Sequence, residues 1–301
     1  MTYFQFIKAV PERLSELYAP QEGRKIAFRL LLDLLGISKE FFALNSMENI
    51  PSIDEALLLR AVEQMIKGAP LQYVTGFEMF RNHKFFVEEG VLIPRPETEE
   101  LVEWILEEAI SSSQNSVTSG EESLLIFDAA CGSGAIGISI ASDLLCTKVF
   151  ACDFSDKAIS VSARNADFLL GKGHTDRYKL FKCDLLEEGV VEAYLPKDKL
   201  DIIVSNPPYV CESEKRFIRP NVLFYEPFEA LFVEDKNPLL FYERIADIAA
   251  YSLKPGGRLY FEINERFPSE VANMLVDKGF RGVDVRKDFR GKERMVRVFK
   301  I

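Results

Sequence analysis

The sequence predicts an α/β protein: a mostly parallel sheet wrapped by helices, preceded by a small helical domain. Three observations carry this. From residue 123 onward, short apolar runs alternate with segments of helical periodicity. A glycine-rich turn follows the first of those runs. The last two runs, 282–288 and 293–300, flank Arg290-Gly291-Lys292 and read as a hairpin, so the sheet should close on an antiparallel strand.

The 301 residues suffice for two domains, and 48% hydrophobic with 28% charged residues excludes a disordered or collagen-like chain. Residues 1–75 read as helices. Ala27, Leu30, Leu31 and Leu34 keep the i, i+3, i+4, i+7 spacing, with Gly36 as C-cap. Ser52 with Glu55 predicts a capping box for a helix running to about Lys67 and stopping at Gly68-Ala69-Pro70. Residues 76–96 form a hairpin linker, with Phe77–Phe80 and Phe85–Val87 flanking a turn at Arg81-Asn82-His83-Lys84. His83 is read there as a solvated turn residue.

Pro94-Arg95-Pro96 breaks the chain, and residues 97–301 form the larger domain. A helix starts near Glu97, and Ser111–Gly120 is a polar loop. Strands are expected at 123–128, 148–152, 178–182, 200–204 and 257–263. Helices are expected at 134–144, 155–168, 238–252 and 268–278.

The net charge of −10 lies outside the first 85 residues, which hold 10 acids and 10 bases. The remainder holds 37 acids and 27 bases, which argues against general binding to a DNA or RNA backbone. Within it, residues 281–300 run the other way, with eight bases against three acids. That segment reads as a solvated hairpin, or as a contact for a protein or ribosomal RNA.

No secretory signal and no membrane-length apolar stretch is visible. The five cysteines form no CxxC pair and have only two histidines beside them. No metal site is expected, and reduced thiols point to the cytoplasm. A monomer is the default expectation.

The strand ending in Asp128 runs into Ala129-Ala130-Cys131-Gly132-Ser133-Gly134-Ala135-Ile136-Gly137. Gly132-x-Gly134-x-x-Gly137 matches a dinucleotide fingerprint, with Asp153 placed to hold a ribose. A nicotinamide dehydrogenase is therefore one reading. An acid at the strand end, with three residues between it and the first glycine of that match, suits S-adenosylmethionine better. That molecule has no phosphate but carries an ammonium and a sulfonium. Asp184 could accept from an adenine amino group while Leu185 packs on the ring.

The fourth of these strands ends in Asn206-Pro207-Pro208-Tyr209, at the carboxyl edge where parallel sheets bind ligands. Two prolines remove backbone donors and leave carbonyl acceptors. With the Asn206 side chain, the turn can take both hydrogens of a planar –NH2 group, and Tyr209 offers a flat face to the conjugated system. Such a nitrogen is a poor nucleophile because its lone pair is delocalised. Two acceptors favour the pyramidal form that attacks a sulfonium methyl, and no histidine or lysine base is required.

These features resemble the glutamine methyltransferases that modify peptide chain release factors (HemK/PrmC family). The resemblance spans nearly the whole chain. It includes Thr75-Gly76-Phe77-Glu78, Leu92-Ile93-Pro94-Arg95-Pro96-Glu97-Thr98-Glu99, Asn206–Tyr209, Glu226-Pro227 with Ala230-Leu231-Phe232, and the segment from Asn264-Glu265 to Ile301. It implies a seven-stranded, Rossmann-like class I S-adenosylmethionine-dependent methyltransferase fold, with S-adenosylhomocysteine as the product.

By the same resemblance, Asn206, Pro207 and Tyr209 are the catalytic residues, and Asn206 to Tyr209 with Arg95 and Glu99 face the substrate. Asp128, Ala130, Cys131, Gly132, Ser133, Gly134, Asp153, Asp184, Leu185 and Asn206 face the cofactor. Ala130 stands where the family's loop has its first glycine. Arg95 and Glu99 either form a lip for the substrate or tie the hairpin to the larger domain. The helical domain would recognise the release factor. Two other substrates stay open for the same chemistry: a glutamine in a ribosomal protein, and an adenine amino group in nucleic acid. The second would need base extrusion and a basic groove.

Overall fold

A parallel sheet hides its strands under helices on both faces, so its strands are apolar throughout and its ligands gather at one edge. The computed structural model describes residues 1–114 and 123–301 of this chain. By contacts it divides into two compact units, Met1–Phe77 with Arg219–Tyr225, and Glu78–Ile218 with Glu226–Ile301.

The first unit is helical: α1 (Tyr3–Arg13), α2 (Pro20–Leu35), α3 (Lys39–Asn45), α4 (Ser52–Ile66) and α5 (Leu71–Thr75). Ala27, Leu30 and Leu31 are fully buried in its core beside Phe6, Val10, Leu58 and Val62. Gly36 ends α2 at φ 67°, as expected of a left-handed C-cap.

The expected capping box at Ser52 does not form. Pro51 is the N-cap, Ser52 already lies inside the helix, and Glu55 takes the amino group of Met1. Within this unit a box does form at α1, where Thr2 and Gln5 cap each other. Arg219–Tyr225 joins this unit: Tyr225 donates to the carbonyl of Lys67 at 2.7 Å, and Arg219 pairs with Glu22 at 3.5 Å.

In the second unit, β1 (Phe77–Phe80) and β2 (His83–Phe86) make the expected hairpin. Its turn is shorter than predicted. Arg81 and Asn82 both adopt positive φ, 48° and 62°, the pair that a two-residue primed turn needs. His83 and Lys84 therefore belong to β2, and His83 Nε2 sits 3.3 Å from Asp143. The hairpin packs on α8 (Asp156–Leu170), where Asn165 accepts from the amide of Phe86 and donates to its carbonyl.

Helix α6 (Pro96–Gln114) starts as predicted but runs into the segment expected to be a loop, so 111–114 are helical; the rest of that loop lies outside the described residues. Then follow β3 (Leu124–Ala129), α7 (Ala135–Asp143), β4 (Thr147–Asp153), α8, β5 (Tyr178–Lys182) and β6 (Leu200–Ser205). Short elements come next: β7 (Val210–Cys211), α9 (Pro220–Tyr225), which belongs to the first unit, α10 (Phe228–Leu231) and β8 (Phe232–Val233). The chain closes with α11 (Leu240–Ser252), β9 (Leu253–Glu262), α12 (Pro268–Asp277), β10 (Arg281–Lys287) and β11 (Glu293–Phe299).

The main sheet has seven strands in the order β10-β11-β9-β6-β3-β4-β5. β11 runs antiparallel to both neighbours, while β9, β6, β3, β4 and β5 pair in parallel. This is the seven-stranded arrangement that the resemblance implies. Two apolar layers cover the sheet. One centres on Phe127, Ile203, Ile245 and Phe261, the other on Trp104, Ile126, Ile138 and Tyr260.

The basic C-terminal hairpin is neutralised within the unit. Arg286 pairs with Glu107, Arg290 with Glu97, Arg294 with Asp288 and Glu265, Arg297 with Glu108 and Asp284, and Lys300 with Asp198. Most of these bases therefore answer acids of the same fold. No helix among the described residues is long and apolar enough to cross a membrane.

Candidate active site

The strand order reverses between β3 and β6, which lie side by side with Asp128 opposite Val204 and Ala129 opposite Ser205. Ser205 Oγ donates to the carbonyl of Ala129 at 2.6 Å. The glycine loop and Asn206–Tyr209 therefore leave neighbouring strands at the same edge, the switch point where open α/β sheets bind ligands. A cavity of about 680 Å³ opens there. Ala130, Gly132, Asp153, Asp184, Leu185, Asn206 and Pro208 all line it.

The loop is built by left-handed backbone. Ala130, Gly132 and Gly134 have φ of 57°, 55° and 80°. Ala130 alone of these bears the steric cost of its Cβ. Asp153, at the end of β4, holds the loop in place: its Oδ2 accepts from the amide of Gly132 at 2.8 Å and its Oδ1 from that of Ser155 at 2.9 Å. Burial raises its carboxyl above the ordinary range, and those amides pull it back.

The other predicted cofactor residues of this loop lie behind the cavity rather than on its wall. Cys131 is buried with Sγ 4.0 Å from Ser162 Oγ, and burial pushes its thiol up. Ser133 is buried and its carbonyl takes the Asn165 amide. A Cβ on Gly134 would meet Ile138 at 2.5 Å and Ser162 at 2.6 Å, so only glycine fits. Asp128 is fully buried; its Oδ2 accepts from the amide of Gly137 at 2.8 Å and its Oδ1 has no partner.

At the end of β5, Asp184 Oδ1 accepts from the amide of Leu186 at 2.9 Å. Leu185 is buried on the cavity wall, and Arg244 fixes its carbonyl at 2.7 Å. An acid beside an apolar wall is the pairing expected for an adenine ring.

The tetrapeptide has no regular secondary structure, and both of its prolines are buried. Its two ends are held by one carboxylate. Asn206 Nδ2 donates to Thr98 Oγ1 at 3.1 Å, and Thr98 donates to Glu262 Oε2 at 2.5 Å. Tyr209 donates to the other oxygen of Glu262 at 3.0 Å. Asn264 Nδ2 holds the carbonyl of Tyr209 at 3.0 Å. Burial raises the Tyr209 hydroxyl well above its usual range, as does the neighbouring Glu262 charge.

Glu262 and Asn264 were not singled out as site residues by sequence reasoning. The signal for Glu262 was an acid inside the apolar run Leu259-Tyr260-Phe261-Glu262-Ile263, at the carboxyl end of a parallel strand.

Arg95 points to the tie rather than the lip. Its guanidinium donates to Glu226 at 2.7 Å, and the other oxygen of Glu226 takes the amide of Ile93 at 3.1 Å. Glu99, in the first turn of α6, is half-buried and does not line the cavity. Among the described residues, no cluster of histidine, cysteine or acid side chains is arranged to hold a metal ion. All five cysteines are free thiols.

Residues 5–76 match the PrmC N-terminal domain family, and residues 116–233 match the methyltransferase small domain family. The release factor glutamine methyltransferase of Flavobacterium psychrophilum is 41% identical over 84% of this chain and 82% of its own. That of Bacteroides thetaiotaomicron is 36% identical over 95% and 96%. Among solved structures, the hMettl16 catalytic domain in complex with a MAT2A 3′UTR hairpin aligns over 84% of this chain and 83% of its own. Its TM-score is 0.53 at 13% identity, a likeness of fold.

Proposed function

The chain belongs to the release factor glutamine methyltransferases, and on that footing we propose that Asn206–Tyr209 present a glutamine side-chain amide of a peptide chain release factor to S-adenosylmethionine held by Asp153 and the glycine loop. The reaction is methyl transfer to the amide nitrogen, N5. One observation carries the assignment: Asn206 and Pro208 line the same cavity as Gly132, Asp153 and Asp184.

The residues fit that cofactor. Of the acids on the wall, Asp153 and Asp184 suit ribose hydroxyls, an adenine amino group and a cationic centre, and Leu185 supplies an apolar face. A phosphate-bearing dinucleotide fits less well, because the helix N-terminus that would take its pyrophosphate is filled by the Asp128 carboxylate. The bound cofactor supplies an electrophilic methyl group on a sulfonium. With Nδ2 of Asn206 turned to Thr98, its Oδ1 is left to accept one amide hydrogen, and a backbone carbonyl of the proline pair accepts the other. The ring of Tyr209 packs on the amide plane. These acceptors draw the nitrogen toward the pyramidal form with a free electron pair. Accepting that methyl group would form the nitrogen–carbon bond as the carbon–sulfur bond breaks and leave S-adenosylhomocysteine; the alkylated nitrogen, then acidic, would lose its proton to bulk solvent. Orientation and exclusion of water supply the rest.

Residues 1–75 are assigned to gripping the protein substrate, 76–96 to linking, and 97–301 to catalysis. The enzyme is assigned to the cytoplasm, which the free thiols support, and to binding no DNA, which the net charge of −10 supports; a monomer is the default assignment. The test is incubation of the enzyme with methyl-labelled cofactor and a purified, folded release factor. Label on the factor is expected. A cofactor that binds while the factor stays unlabelled overturns the reading.

A further inference from the structure

We propose that Glu262 is a positioning residue that decides which end of the Asn206 side-chain amide meets the substrate, acting through Thr98; this deepens the reading of the site given above and rests on it.

The number of hydrogens available fixes the orientation. Thr98 and Glu262 are 4% and 1% exposed, so water does not substitute for either partner. An ionised carboxylate only accepts, and each Glu262 oxygen faces one hydroxyl, Thr98 at 2.5 Å and Tyr209 at 3.0 Å. A threonine hydroxyl has one hydrogen. Once that hydrogen goes to Glu262, Thr98 can only accept from Asn206. The amide must then turn its NH2 inward, as it does at 3.1 Å, and its oxygen toward the cavity. An amide turned the other way would present donors to the donors of a glutamine –NH2 group, and the acceptor would be lost.

The same carboxylate anchors Tyr209, so one buried charge sets both ends of the tetrapeptide. Glu262 is the last residue of β9 and Thr98 lies in the first turn of α6, so both partners sit on regular structure. The titratable and charged groups facing Glu262 are Tyr209, Arg294 of β11, Glu97 of α6 and, at its backbone carbonyl, Tyr242 of α11. Burial raises the Glu262 carboxyl, while Thr98, Tyr209 and Arg294 favour its ionised form. Protonated, Glu262 would donate to Thr98 or Tyr209 and free the hydrogen that holds the amide.

The experiment compares wild type with Thr98→Val, Thr98→Ser and Glu262→Gln. It measures kcat on the release factor, cofactor Kd and the pH profile of kcat. Thr98→Val keeps the shape but not the hydroxyl, and should lower kcat by about tenfold or more with cofactor Kd changed less than about threefold. Thr98→Ser should stay within about threefold of wild type in kcat. Wild-type kcat should fall on the acid side, starting above the ordinary carboxylate range, and Glu262→Gln should lack that limb. The proposal is overturned if Thr98→Val keeps wild-type kcat, if Thr98→Ser loses as much as Thr98→Val, or if Glu262→Gln keeps the acid limb. Should Glu262→Gln not fold, the two Thr98 variants decide. A wild type that binds cofactor but labels no factor removes the reading of the site, and this relay with it.

Discussion

The carboxylate of Asp128 accepts the backbone amide of Gly137, the third residue of α7, at 2.8 Å, and its second oxygen is buried without a partner. An acid at the end of the first sheet strand thus serves the helix behind the glycine loop rather than the cavity in front of it. Burial pushes its carboxyl up to about 7; the Gly137 amide opposes this, and the nearby Asp153 charge adds to it. A carboxyl raised by folding favours the folded state below its unfolded value, near 4. It loses that contribution as pH rises through about 7. The loss is about 4 kcal/mol at about 1.4 kcal/mol per unit.

Asp128→Asn keeps the acceptor for Gly137 and carries no charge. The variant should therefore gain on wild type as pH rises from about 4 to about 7 and hold that gain above it. Thermal denaturation across this range checks it. Parallel curves for the two proteins would contradict the assignment.

In the proposed site, Asp153 would join the glycine loop to the cofactor. Asp153→Ala should weaken S-adenosylmethionine binding by about ten- to a hundredfold, the cost of losing a charged hydrogen bond. Part of that loss arises in the loop, because the same carboxylate holds the amide of Gly132. Titration calorimetry measures it, and an unchanged Kd would remove Asp153 from the site.

Ala130 holds a left-handed backbone that glycine adopts freely. Relief of about 1–2 kcal/mol of strain in Ala130→Gly is partly offset by about 0.4–1 kcal/mol of added unfolded-state entropy. A net gain of about 0.5–1 kcal/mol is expected, seen as a small rise in Tm, whereas Ala130→Val should lower it. A fall in Tm for the glycine variant would show that the Cβ of Ala130 packs usefully.

The Arg95–Glu226 pair ties residues 93–95 to the segment that starts α10. Glu226 is 5% exposed, so Arg95→Ala leaves a buried carboxylate with only the Ile93 amide. A loss of about 2 kcal/mol is expected. Arg95→Ala with Glu226→Ala together should cost less than the sum of the two single changes. Additive losses would mean that the pair does not interact.

Much of this was legible in the sequence because the signals are local. Alternating apolar runs placed every main-sheet strand, and the loop and tetrapeptide each follow a strand directly. What was hidden depends on partners far apart in the chain. Thr98 and Glu262 are 164 positions apart, and Arg95 and Glu226 are 131 apart. Asp128 misled for a geometric reason: side chains alternate faces along a strand, so a terminal acid can face the site or the helix behind it. Ser52 misled because Pro51 fits the extended N-cap position, which shifts the helix start by one residue.

The most direct measurement is tandem mass spectrometry of the release factor after reaction, with wild-type enzyme and with Asn206→Ala at saturating cofactor. Wild type should leave a methyl group on the side-chain nitrogen of a glutamine. Asn206→Ala should leave almost none, although that variant still binds S-adenosylmethionine. A methyl group on any other kind of atom, or undiminished methylation by Asn206→Ala, would contradict the proposed function.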